Sequence, residues 1–339
     1  MNRALGNIAA FTPFLSSCDE NTSFVRFLGT GSSTGCPRAA CLFSTSPTPP
    51  KNCENSKLAS IGDPRFNKNY RNNPSLLIHH HNHTVVIDAG KTFRESLTRW
   101  LPTTPNIDKI DAIVLTHEHM DAFGGMDDIR GTQIFKNNVV TPMLCFLNAK
   151  TREAVSGAYP YLFPKKIVDE NEVKRMVAAI DFKEISDFTP FKVSPDSDSF
   201  SMTPIPVKHG EDCSCLGFSF GPVIYLSDIS RLTPEAASFI FTWQKTNTLD
   251  LLVLDCLFFK GSHNTHYALD DVAKLVAKLN PKKTVLVGMS CDSVPAHDEA
   301  NKMLKLNFPK HDVSLAYDGL KIELPNFLSD ELVKEMRSI

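Results

Sequence analysis

An α/β fold with helices outside stacked β-sheets is predicted by two features of the chain. Strand patterns dominate its first part, and strands alternate with helical patterns in its second. A third feature is the absence of an internal repeat or clear domain break. It predicts one folded unit over residues 23–339, preceded by a tail at 1–22.

The elements follow in order. S-F-V-R-F-L (23–28) reads as a first strand and runs into a glycine-rich loop, Gly29–Gly35. Residues 36–74 are rich in Pro, Asn, Ser and Lys without a hydrophobic period, which predicts a long irregular loop. S-L-L-I-H (75–79) and T-V-V-I-D (84–88) read as a hairpin around His80–His83. D-A-I-V-L (111–115) is a short buried strand, and 139–147 is another candidate. Helical patterns fall near 150–157 and 167–180. Four further strands are read at 202–207, 216–220, 223–227 and 249–255. Leu269, Val272, Ala273, Val276 and Leu279 are spaced by three and four, the stripe of an amphipathic helix that Asn280-Pro281 ends. A strand at 284–287 and a helix at 296–306 complete the pattern.

Composition narrows the function classes. The 339 residues carry a net charge of −2 and are 42% hydrophobic, ordinary for a globular protein. Such a balance gives no general attraction to nucleic acid or to an anionic membrane, and no apolar run approaches a membrane-spanning length. A small-molecule substrate is therefore expected, and the sequence leaves room for a homodimer. Nine irregularly spaced cysteines without a secretory signal read as reduced intracellular thiols, so the expected compartment is the cytoplasm. Residues 1–22 carry Arg3 and no acid before Asp19; a mitochondrial presequence and a frayed tail are both open readings.

The chemistry concentrates at strand ends. Residues 115–125 read L-T-H-E-H-M-D-A-F-G-G, so His117, His119 and Asp121 alternate directly after a buried strand. A sharp turn there lets alternate side chains enter one pocket, and imidazole with carboxylate suits zinc or manganese. Asp88, His209 and Asp228 each stand just past another strand end. The four histidines at 79, 80, 81 and 83 read as turn residues, because neighbours in a strand face opposite ways. Cys213-Ser214-Cys215 reads as two free thiols in a loop. G-x-G-x-x-x-G at 29–35 is not the dinucleotide fingerprint, and no amphipathic helix follows it.

The ordered series Asp88, His117/His119/Asp121, His209, Asp228 resembles the metallo-β-lactamase superfamily. So do F-L-G-T-G-S-S-T-G-C-P-R, I-D-A-G and the K-H-G…L-G-F…Y-L-S-D run. Within it the chain is similar to the phosphodiesterases: the cyclic-phosphate phosphodiesterase of phosphonate breakdown and, more distantly, the tRNA 3′-end endonuclease. The resemblance spans about residues 23–320 and implies an αββα sandwich with metals where strand ends meet. It implies a first ion held by His117, His119, His209 and Asp228, with Asp88 behind the ligands.

A second ion would use Asp121, Asp228, a histidine after Asp121 and a late histidine. Those two positions hold Ala122 and Gly288. One expectation is a single tight ion with a weak or remodelled second site. In that case Cys291 and His297 are candidate substitutes, beside Asp127, Asp128, Asp255 and His266. The resemblance further places Cys36, Cys41 and Cys53 where the cyclic-phosphate enzyme holds a structural zinc, although no C-x-x-C pair is present.

The functional expectation is a metal-dependent hydrolase of a small cyclic or nucleotide-like phosphodiester. Asp121 would orient water, Arg130 would balance charge on phosphate, and His266 would protonate the leaving oxygen. The alternative is a pseudoenzyme or binding module that keeps one structural metal.

Overall fold

The computed structural model describes residues 23–43, 53–133, 135–136, 139–163, 178–194, 200–325 and 327. The expectations for the tail at 1–22 and for most of the helical pattern at 167–180 lie outside the described residues.

Two sheets face each other, and helices cover the outside of both. The first is seven-stranded. In spatial order its strands are Lys321–Glu323, Phe24–Gly29, Ser75–His80, His83–Ile87, Ala112–Val114, Met143–Leu147 and Ile180–Glu184. The second is eight-stranded. Its main path runs Arg231–Leu232, Ser201–Lys208, Ser214–Phe220, Val223–Leu226, Leu251–Asp255, Lys283–Val287 and Val313–Leu315, with Phe191–Lys192 joining at Ser201–Lys208. In each sheet the pairings at the start of this order are antiparallel, up to His83–Ile87 in the first and Val223–Leu226 in the second, and the later ones are parallel.

Three apolar layers hold this sandwich together. Between the sheets lie Phe27, Leu76, Ile78, Phe218, Tyr225 and Val285. Outside the first sheet, Phe93, Leu97 and Trp100 from the helix Phe93–Trp100 pack on Leu28, Leu77 and Ile113. Outside the second, Val272, Val276 and Leu279 from the helix Leu269–Leu279 pack on Leu252, Leu254 and Leu286. Strands 75–80 and 251–255 are buried at every position, as a sheet covered on both faces requires. The helix Leu269–Leu279 ends with Asn280 in the left-handed region (φ 45°), which explains the stop read from Asn280-Pro281.

Three expectations need correction. Residues 36–74 are not uniformly irregular: short helices form at Ala39–Leu42 and Glu54–Ala59, the second capped by the Cys53 sulfur accepting from the Ser56 N–H. Four-residue and six-residue helices leave too short a period to register in sequence. His79 and His80 belong to the strand, not the turn, and are buried. His80 bonds Ser23 Oγ at 2.6 Å and stacks on Phe327. Cys215 is likewise a buried strand residue, not a loop thiol. Among the described residues no helix is long and apolar enough to cross a membrane.

Candidate metal centre

The site forms where strand ends of both sheets come together. The strand Ala112–Val114 runs out at Leu115 and delivers Thr116 and His117. His119 caps the short helix Met120–Phe123. Across the sandwich, Ser201–Lys208 delivers His209 and Val223–Leu226 delivers Asp228. The two halves are stitched by a hydrogen bond from the Leu216 N–H to the Thr116 carbonyl at 2.8 Å.

The glycine of I-D-A-G has a specific task. A Cβ at Gly90 would lie 1.8 Å from the carbonyl oxygen of Asp121, so only glycine lets this loop pack on the motif helix. The Ala89 N–H donates to the Ala122 carbonyl and the Gly125 N–H to the Ala89 carbonyl, both at 2.7 Å. Asp88 itself sits at φ 63°, an uncommon conformation for a residue with a side chain.

Donor atoms of His117, His119 and His209 lie within 4.8 Å of one another, as do those of His117, Cys215 and Asp228 and those of His209, Asp228 and His266. His117, His209 and Asp228 are buried, while His119 is exposed, so the group opens to solvent on that side.

Hydrogen bonds aim the imidazoles. Asp88 accepts from the Thr116 N–H at 2.9 Å and from its hydroxyl at 2.8 Å. With that proton committed, Thr116 Oγ1 accepts from His117 Nδ1, also at 2.8 Å. His117 Nε2 is then a lone-pair nitrogen, buried and without a hydrogen-bond partner. His209 Nδ1 donates to the Thr265 carbonyl at 2.7 Å, which leaves its Nε2 free. Ligand histidines are oriented by a hydrogen bond at the other nitrogen in this way, and an orphaned buried nitrogen aimed at two more donors fits a bound cation. Burial alone would keep Asp228 neutral, but His117, His266 and His209 hold its carboxyl below the usual range. Burial lowers the pKa of His117, in the direction of the neutral form a metal needs.

His266 faces the same group. Its Nδ1 donates to Asp255 Oδ2 at 2.8 Å, and its ring lies 4.7 Å from that of His209. Burial opposes its charge, yet the Asp255 carboxylate outweighs it and raises the pKa of the imidazole. Burial raises Asp255 as well. Asp121 is buried close by and contributes to the field on His117 and His266.

Several expected residues are not brought in. Arg130 is exposed on the 3-10 turn Met126–Thr132, and among the described residues no hydrogen bond or ion pair joins it to the histidines. Asp127 is taken by the Tyr161 hydroxyl at 2.8 Å. Cys291 and His297 as second-site substitutes are corrected. The Cys291 sulfur lies 3.8 Å from that of Cys41 and 3.3 Å from Ser56 Oγ. His297 Nδ1 bonds Arg71 Nη2 at 3.2 Å, and its ring packs on Tyr317.

Cys291 instead completes another cluster. Sulfurs of Cys41, Cys53 and Cys291 lie within 4.8 Å of one another, and the Cys36 thiol reaches Cys291. In sequence Cys291 was read as a candidate substitute in the second metal site, because nothing local ties it to Cys36, Cys41 and Cys53. Cys215 and Asp255 were read as a loop thiol and a reserve ligand, because neither lies in the H-x-H-x-D motif.

Comparisons with known proteins agree with this fold. A family model described as a beta-lactamase superfamily domain matches residues 83–289. A Porphyromonas gingivalis protein named octanoyltransferase is 23% identical over 294 residues, 87% of this chain. The chain spans about half the length of that relative, 50%. Among solved structures, a diphosphatase from the PhnP family is 27% identical with a TM-score of 0.67, over 89% of this chain and 97% of that one. The short form of human tRNase Z is 16% identical with a TM-score of 0.56, over 89% of this chain and 99% of that one, which shows a shared fold.

Proposed function

The chain belongs to the metallo-β-lactamase superfamily of metal-dependent hydrolases, and from its site we propose that it is a phosphodiesterase for a small cyclic or nucleotide-like substrate. The observation that carries this reading is the convergence of His117, His119 and His209 with Asp228, with acceptors behind His117 and His209 that leave the other ring nitrogen of each turned to the group. A divalent ion held there by His117, His119, His209 and Asp228, zinc or manganese, would supply a Lewis acid and would lower the pKa of a water to about 7.

The chain's own groups do the rest. Asp121 stands beside the motif histidines and orients the attacking water or accepts its proton. His266, steadied by Asp255, carries a proton towards the leaving oxygen. Arg130, on the exposed turn, would meet phosphate charge only after its side chain turns inward. The similarity to a structure described as a diphosphatase supports phosphorus chemistry. The net charge of −2 favours a small substrate over a long RNA.

Cys36, Cys41, Cys53 and Cys291 support a separate structural zinc. Thiolates suit that ion, and the group Cys41, Cys53 and Cys291 shares no residue with the histidine groups.

A second reading, hydrolysis of an acyl ester or thioester, is favoured by the octanoyltransferase relative, because the same nucleophile attacks an acyl carbon. Turnover of an aryl phosphodiester beside an octanoyl thioester, with zinc or manganese added, separates the two. Diesterase turnover abolished by His209→Ala is expected. Thioester turnover alone would replace the first reading, and an ion held without turnover on either would favour a binding module.

A further inference from the structure

The second ion that the resemblance implies lacks both of its histidines. Ala122 offers a buried methyl group where a ligand would be needed. Gly288 has φ 78°, and a Cβ built there would lie 2.5 Å from Asp255 Oδ1. Real Cβ atoms do not approach an oxygen so closely, so position 288 must be glycine while Asp255 keeps its place. Asp255 is fully buried and fixed: its Oδ2 accepts from His266 Nδ1 at 2.8 Å and from the Ile229 N–H at 3.2 Å. Its Oδ1, the oxygen nearest Gly288, has no hydrogen-bond partner. The carboxylate therefore stands at the root of any side chain that would enter from 288.

His266 completes the obstruction. Held by Asp255, it brings a ring nitrogen within 4.8 Å of donors on both His209 and Asp228. Asp228 is the carboxylate that would bridge two ions. The three donor groups around the histidines overlap through His117, His209 and Asp228, so they describe one centre. Among the described residues, none of these groups includes Asp121.

The geometry points to a one-ion centre in which the Asp255–His266 pair occupies the ground of the second ion. Asp255 bars a side chain at 288 and holds His266 against the would-be bridging carboxylate. This assignment rests on the reading that His117, His119, His209 and Asp228 bind the first ion. It makes Asp255 a positioning residue and keeps His266 out of the ligand set, free to meet the substrate.

Manganese(II) added to the metal-stripped full chain tests it, because the ion prefers imidazole and carboxylate to thiols. Elemental analysis counts the ions and electron paramagnetic resonance reads their spacing, since a carboxylate-bridged pair is exchange-coupled and a lone ion is not. One uncoupled manganese per chain is expected, absent from His117→Ala and retained in a folded His266→Ala variant. A coupled pair in the wild-type chain would overturn the one-ion assignment and leave the first site standing. Loss of the ion from His266→Ala would make His266 a ligand and overturn the role given to the pair. A wild-type chain that binds no manganese would overturn the underlying metal reading as well.

Discussion

The histidine centre draws its donors from strand ends in both sheets, whereas the cysteine cluster draws Cys36, Cys41 and Cys53 from residues 36–53 and Cys291 from the turn after Lys283–Val287. In the first, each positioned imidazole has a polar partner behind it: Thr116 and Asp88 for His117, the Thr265 carbonyl for His209. In the second, the thiols have mainly one another and Ser56. Burial pushes the Cys41 thiol up to about 12, so without a metal that sulfur stays protonated. The difference teaches what each is for. A centre braced from behind and open at His119 keeps its shape while ligands exchange. A knot of thiols with little bracing gains its shape from the ion it binds.

The largest expected effect comes from removing a donor at the braced centre. His209→Ala should cut metal-dependent turnover on the order of 10³-fold, because the ion's several kcal/mol of charge stabilisation is lost. Its folding should change little, since His209 lies at a strand end. Metal-dependent kinetics beside thermal unfolding check both halves; unchanged turnover would break the comparison at its base.

Cys41→Ser should show the reverse. It should lower unfolding stability by roughly 3 kcal/mol, the scale of losing a metal or a buried network, and leave the histidine ion in place. A chelator-induced fall in Tm should be present in the wild type and much smaller in this variant. If the chelator moves both equally, the cysteines hold no structural ion.

A smaller effect sharpens the account of the bracing. Thr116→Val removes the hydroxyl between Asp88 and His117 while keeping the side chain's shape. Metal affinity should fall about 10–100-fold, read by competition with a chelating dye, beside a loss of about 1–3 kcal/mol of stability from the buried groups left unpaired. An affinity equal to wild type would mean that the backbone alone aims His117.

What the sequence made legible follows the same division. The sandwich and the clustering of His117, His119, His209 and Asp228 were readable because strands impose a period of two and end in abrupt turns. Local pattern therefore carries position. Cys291 was misassigned because its partners lie 238 and 250 residues away, a separation no local period encodes. Asp255 was one reserve ligand among six. Its role depends on the distance from its oxygen to a Cβ that Gly288 lacks, a fact of packing alone. The short helices at 39–42 and 54–59 escaped for want of length.

The smallest expected effect concerns His297, the histidine that local reading placed in the metal site. It is buried beside Arg71, whose Nη2 lies 3.2 Å from its Nδ1. Burial first, then the Arg71 charge, drives its pKa down to about 3. The unfolded value is near 6.5. Between the two the unfolded chain binds more protons than the folded one, so stability is full above pH 6.5 and declines as pH falls towards 3. Over the step from pH 6.5 to 5 this amounts to about 1–2 kcal/mol, after discounting for partial solvent screening. Asp318, lifted to about 7 by burial, acts with the opposite sign, destabilising the fold as pH rises towards 7, and is common to both chains. His297→Gln should therefore be less sensitive to acid than the wild type by that amount, measured as the difference between urea unfolding curves at pH 7 and pH 5. Added zinc should leave that difference unchanged. If zinc erases it, His297 binds metal, and the separation drawn between a braced catalytic centre and everything packed around it fails.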